Sequence, residues 1–213
     1  MQKLISIIPR RHDFSRAAFR TYYETRHTPL ALRYLRKFRK YVRNHLSLTR
    51  PAEASFDVLT EFWYTDKKES LVTTDEVAQL LREDEIAFMD REGTVYFDVI
   101  ESLLIGPPRD VEHKVTEKLI LLFKVNPAHE KSAFLADVRS LLQGRSGEVF
   151  RVTLDVPLVT ADSKGLPPAD AFLSVWPRSP EADIRLGPYP PTIASCLPIW
   201  VDACETAPID LND

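Results

Sequence analysis

The sequence starts one pattern at QKLISII (residues 2–8) and starts it again at EKLILLFKV (117–125), where KLILLF repeats KLISII at an offset of 115 residues. A restart of this kind points to a duplicated unit rather than one continuous domain. In the first copy, the isoleucine-rich run stopped by Pro9 reads as a strand. Asp13 or Ser15 then caps a helix in which Phe19, Tyr23, Arg26 and Leu30 recur at helical spacing. Alternation over 39–49 and 55–64 predicts two strands. Residues 73–90 predict an amphipathic helix, with Thr73 as cap, Glu76 three residues on, and Val77, Leu80, Leu81 and Phe88 as its apolar face. A last strand covers 94–105 and stops at Gly106-Pro107-Pro108.

The order β-α-β-β-α-β is the ferredoxin-like arrangement, an antiparallel sheet with both helices on one face. The other face of such a sheet needs cover. The second copy supplies it. After a linker at 107–114 come strands over 117–125, 148–158, 169–177 and 196–205, with a helix over 129–143 closed by Gly144. SPEADIRLGPYPPTIAS, with four prolines and a glycine, leaves only a short helix or a loop where the second helix belongs. The expected fold is therefore α+β: two tandem ferredoxin-like units, 1–108 and 109–213, the second degenerate. Packed sheet to sheet, they bury each other's bare faces, at about 25 cal/mol per Å² of apolar surface.

Composition excludes several classes. With 44% hydrophobic and 28% charged residues among 213, the chain is of ordinary soluble type. No apolar run approaches the roughly 18 residues of a membrane span. The N-terminal apolar stretch is too short for a secretion signal, and basic residues follow it. Cys196 and Cys204 form no metal-binding spacing, and reduced thiols in the cytoplasm are the expected setting. Charge is uneven. Residues 9–50 hold twelve Lys/Arg against Asp13 and Glu24 alone. Such a segment attracts anions or pairs with acids elsewhere in the chain; without a nucleic-acid-binding motif, no nucleic-acid partner is expected.

Chemistry-bearing residues gather near YYETRHTPL (22–30). Pro29 lacks an N–H and would clash with the Thr25 carbonyl in a continuous helix, while Thr28 is pushed out of the α region. Thr28 then caps a second helix with Pro29 as its first residue, and His27 terminates the helix before it. A helical wheel places Tyr23 and Tyr34 within about 40° of His27, at the edge of the apolar face. That is a proton-transfer group beside phenols at a helix–sheet boundary; the plain alternative is a histidine satisfied by backbone at a helix end. On the next strand Tyr41, Arg43 and His45 share one face. Facing the helices, Tyr41 and His45 join His27 around a ligand and Arg43 holds a carboxylate or phenolate; facing solvent, they are surface residues. Tyr64 ends the third strand as a core or pocket-rim residue. Asp84, Glu85 and Asp90 on the later helix read as solvated, and no metal-ligand, phosphate-loop or nucleophile motif is present.

The first half resembles the EthD family of dimeric α/β-barrel proteins. The resemblance rests on the opening strand, on FRTYYETRHTPL, on LRKFRKYVRNH and on DEIAFMDREGTVYFDV, and covers about residues 2–105. It implies an α/β barrel, here closed within one chain. It also implies a small-molecule enzyme working without metal or organic cofactor on an aromatic or polyketide-like compound. Decarboxylation, cyclisation and oxygenation all remain open. His27 and Tyr41 would be the catalytic residues, with Tyr22, Tyr23, Arg43, His45 and Tyr64 binding substrate. Related proteins include accessory components of monooxygenase systems, so a non-catalytic ligand-binding role stands as the alternative. Association beyond the internal pseudo-dimer is left open.

Overall fold

A computed structural model describes residues 2–34, 38–50, 52–65, 74–108, 116–179, 182, 184–206 and 211. Four strands of the first half are β1 (Gln2–Ile8), β2 (Phe38–Leu46), β3 (Val58–Tyr64) and β4 (Val95–Ile105). Four of the second are β5 (Glu117–Val125), β6 (Val149–Leu158), β7 (Ala171–Pro177) and β8 (Ile193–Glu205). They close into one antiparallel barrel in the order β1-β3-β2-β8-β5-β7-β6-β4. Within that circle each half has the same arrangement, β4-β1-β3-β2 and β8-β5-β7-β6.

The two sheets are therefore not separate layers, as simple face-to-face packing would leave them. Edge strands carry unpaired N–H and C=O groups, and here β2 pairs with β8 and β4 with β6, which removes every open edge of the barrel. The bare faces turn inward. Gly106 follows β4 with φ +84°, and a Cβ there would collide with the carbonyl of Phe150 in β6, so the seam needs glycine.

Strand alternation sorts side chains to the two sides of the wall. Along β1, Ile5 and Ile7 meet Phe97, Ile120, Phe172 and Ile199 in the interior, while Leu4 and Ile8 pack outward with Phe19, Tyr23 and Phe88. The interior also holds charge. Lys3 Nζ lies 2.7 Å from Glu61, 2.6 Å from Glu101 and 2.7 Å from Asp155, and Lys118 Nζ lies 2.6 Å from Glu61. Of these pairs, Lys3–Asp155 and Lys118–Glu61 tie one half to the other. Each lysine also sits over a tryptophan, Lys3 on Trp63 at 4.6 Å and Lys118 on Trp176 at 4.4 Å.

Helices cover the outside. α1 (Arg16–Tyr22) is capped by Ser15, whose hydroxyl accepts from the Ala18 N–H. α2 (Thr28–Tyr34) and α3 (Asp75–Phe88) complete the cover of the first half. The cap of α3 is Thr74, which accepts from Val77 N–H, and not Thr73, which lies outside the described residues. The second half has α4 (Lys131–Leu141), and no described residue between 178 and 192 is helical. Most of the linker at 107–114 lies outside the described residues. Among those described, no helix is long and apolar enough to cross a membrane.

Several cations of the basic segment are matched within the chain. Arg10 and Arg16 bind Asp57, Arg20 binds Asp202, Lys40 binds Glu205 and Arg50 approaches Glu117.

Candidate functional site

The junction at Pro29 is not a break. Thr28 keeps helical torsions, φ −59° and ψ −48°, and its N–H donates to the Tyr23 carbonyl five residues back. Tyr23–His27 thus form one π-helical turn joining α1 directly to α2. The extra residue widens the turn and so relieves the clash between the proline ring and the preceding carbonyls. The expectation that Thr28 leaves the α region is overturned, because a wide turn resolves the proline clash without ending the helix.

This turn points His27 inward. Its ring is buried against Tyr23 (4.9 Å between centroids) and Phe88 (5.1 Å). His27 Nδ1 lies 2.7 Å from Asp84 Oδ2, and the other Asp84 oxygen accepts from Tyr22 Oη at 3.0 Å. A carboxylate accepts, so Nδ1 carries the proton and Nε2 presents a lone pair. Burial works against ionisation of Asp84. The hydrogen bonds from His27 and Tyr22 outweigh it and hold the carboxyl below its ordinary range.

A cavity of about 310 Å³ lies beside this pair, lined by His27, Tyr23 and Tyr41 among the buried polar residues and by Phe38, Phe62 and Leu81 among the apolar ones. Tyr41 Oη donates to Tyr23 Oη at 3.4 Å, and Tyr23 Oη lies 3.3 Å from Thr60 Oγ1. Burial pushes both phenols up in pKa, Tyr41 strongly, so both remain protonated donors. A second, more open cleft of about 620 Å³ lies on the other half. Its charged residues Lys124, Lys131 and Asp170 are exposed.

Of the residues singled out in the sequence, His27, Tyr23 and Tyr41 meet at the cavity. Tyr22 stands behind them, holding Asp84. Arg43 and His45 do face the helices but do not line the cavity. Glu24, on the far flank of the π-helical turn, takes them both, Arg43 at 2.7 and 3.1 Å and His45 Nε2 at 2.7 Å. The ring of Tyr23 stands between His27 and His45. Tyr64 packs between Phe38 and Phe62 in the core and also stays off the cavity wall.

Asp84 is the residue that sequence reasoning set aside as solvated. A signal for it existed. Val77, Leu81, Asp84 and Phe88 follow one helical stripe, and Asp84 is the acid placed inside that apolar stripe. Glu24 was counted only as one of two acids in a basic segment.

Among the described residues, two clusters have the atoms to ligate a metal, Glu24 with His45 and Cys204, and Glu61 with Glu101 and Asp155. In each, one of the protein's own cations already engages the carboxylates: Arg43 at Glu24, and Lys3 among the three acids.

An eight-stranded antiparallel barrel with helices outside, and a histidine–carboxylate pair at a helix–sheet cavity, make this an α/β-barrel fold. Residues 11–92 match the family model of the EthD domain. The fold is similar to that of a candidate monooxygenase from Fusobacterium nucleatum subsp. nucleatum (TM-score 0.62, 8% identity, 95% of this chain and 91% of that one). It is similar to an anthrone oxidase-like protein (0.63, 9%, 96% and 92%) and to a candidate monooxygenase from Lactobacillus acidophilus NCFM (0.53, 11%, 95% and 93%). At such identities the likeness is one of fold. No curated protein matches the sequence.

Proposed function

We propose that this protein is a small-molecule enzyme that uses His27 as acid and base on an aromatic or polyketide-like compound, with no organic cofactor. The observation that carries the reading is His27 itself: a buried imidazole whose Nδ1 is held by Asp84 while its ring lines a cavity walled by aromatic side chains. Nε2 would take a proton from an acidic C–H or O–H of the substrate. Tyr41 and Tyr23, kept protonated by burial, would donate to the enolate or phenolate oxygen that results. Proton removal of this kind starts a cyclisation, prepares a ring for oxygenation, or reverses to protonate the carbanion left by decarboxylation.

The proposal extends to the architecture. Equal strand order in the halves and the matched Lys3–Trp63 and Lys118–Trp176 pairs support a duplicated ferredoxin-like unit, divided near 108, with the second copy degenerate.

The test begins with mass spectrometry of whatever compound the purified protein retains, followed by turnover of that compound by wild type and His27→Asn. Turnover lost in the variant with binding kept supports the acid–base role. Binding without turnover, the same in both proteins, favours a ligand-carrying accessory role for a monooxygenase or degradation system.

A further inference from the structure

The connection between β6 and β7 belongs to the second half, yet part of it lies at the mouth of the first half's cavity. A short backbone pairing holds it there. Tyr96 N–H donates to the Lys164 carbonyl at 3.0 Å, and Lys164 N–H donates to the Tyr96 carbonyl at 2.9 Å. Gly165 follows at φ +73°, and a Cβ on it would stand 2.6 Å from Val95 Cγ1. The connection approaches β4 more closely than a residue with a side chain allows.

Lys164 is half-buried and lines the cavity with Arg91, Thr94 and Tyr96. Its ammonium donates to the Arg91 carbonyl. The Arg91 guanidinium is matched by Glu85 at 2.6 Å, whereas among the described residues no carboxylate pairs with Lys164. The cavity is therefore lined by an imidazole, by the phenols of Tyr23 and Tyr41, by Phe38 and Phe62, and by Lys164, a cation with no carboxylate partner among the described residues.

We infer that Lys164 recognises an anionic group on the ligand, so that the substrate class is an aromatic acid and the second half completes the site. The inference rests on the cavity being the substrate site of the proposed function. A charge-assisted hydrogen bond at a half-buried position favours an acid over its neutral isostere by about tenfold.

Equilibrium dialysis of the full chain with 2-naphthoate and with neutral 2-naphthamide tests it. Wild type is expected to hold the naphthoate about tenfold more tightly. Lys164→Met and Lys164→Gln are expected to bring the two probes to parity, chiefly by weakening naphthoate binding. Lys124→Gln, on the opposite cleft, controls for net charge and is expected to keep the preference. Equal binding of both probes by wild type, a preference surviving in both Lys164 variants, or uptake of neither probe overturns the inference. Acid preference in a protein without turnover would leave Lys164's role intact and remove the acid–base proposal; turnover without acid preference would do the reverse.

Discussion

Asp84 Oδ2 on one helix lies 2.7 Å from His27 Nδ1 on the turn between two others, so a residue 57 positions away sets which imidazole nitrogen is free. Asp84→Asn replaces an obligate acceptor by an amide that can also donate. Nitrogen-15 shifts of the neutral His27 ring should show the Nε2 lone-pair tautomer in wild type and a mixture in the variant. Turnover of the retained compound should fall by about 10²–10⁴-fold, the usual worth of a placed acid–base group.

Phe88 holds the site's geometry. Its ring, fully buried, meets Phe19 at 5.4 Å, Tyr22 at 4.7 Å, Tyr23 at 5.5 Å and His27 at 5.1 Å. Phe88→Ala should cost about 3–5 kcal/mol, read as a lowered urea midpoint, and Phe88→Leu clearly less. A loss below 1 kcal/mol for the alanine variant would show that the aromatic cluster is not packed as described.

Glu24 should make stability depend on pH. Burial alone would raise its carboxyl, but the hydrogen bonds from His45 and Arg43 and the charge of Arg43 bring it down to about 2 from an ordinary 4.5. A lowered acid stabilises the folded state fully above its unfolded value and loses that contribution as pH falls through the folded one. Glu24→Gln should therefore be less stable than wild type at pH 7, by about 1–3 kcal/mol. The difference should shrink between pH 4.5 and 2, and chemical denaturation across that window checks the sign.

Asp155 runs the opposite way. Burial, reinforced by Glu101 and Glu61 and opposed by Lys3, raises its carboxyl to about 6 from 3.8. The folded state then holds a proton that the unfolded chain has released, so stability contributed by the neutral acid is lost as pH rises from 3.8 through 6. Melting temperatures of wild type minus those of Asp155→Asn should decrease over that interval and level off above it. A flat difference would mean that Lys3 fully compensates the buried charge.

What the sequence determined by itself was most of the list of elements, with the matching pattern of the two opening strands of the halves. KLISII and KLILLF, the alternation in residues 39–49 and 55–64, and the stripe of α3 are local periodicities, and burial of one face is enough to impose them. Those same periods placed Tyr41, Arg43 and His45 on one face of β2, and marked His27 as a residue at a disturbed turn. The tertiary structure decided the rest. A sequence period says which face a side chain occupies but not which neighbour reaches it. Arg43 and His45 turn to Glu24 and away from the cavity because its carboxylate lies within hydrogen-bond reach and theirs are the donors it needs. Asp84 becomes the partner of His27 through the packing of α3 on the π-helical turn. Lys164 reaches the mouth because the barrel closes β4 onto β6 and brings the second half alongside the first. Each of these is a contact between residues far apart in the chain, set by how the halves dock, and no local pattern records it.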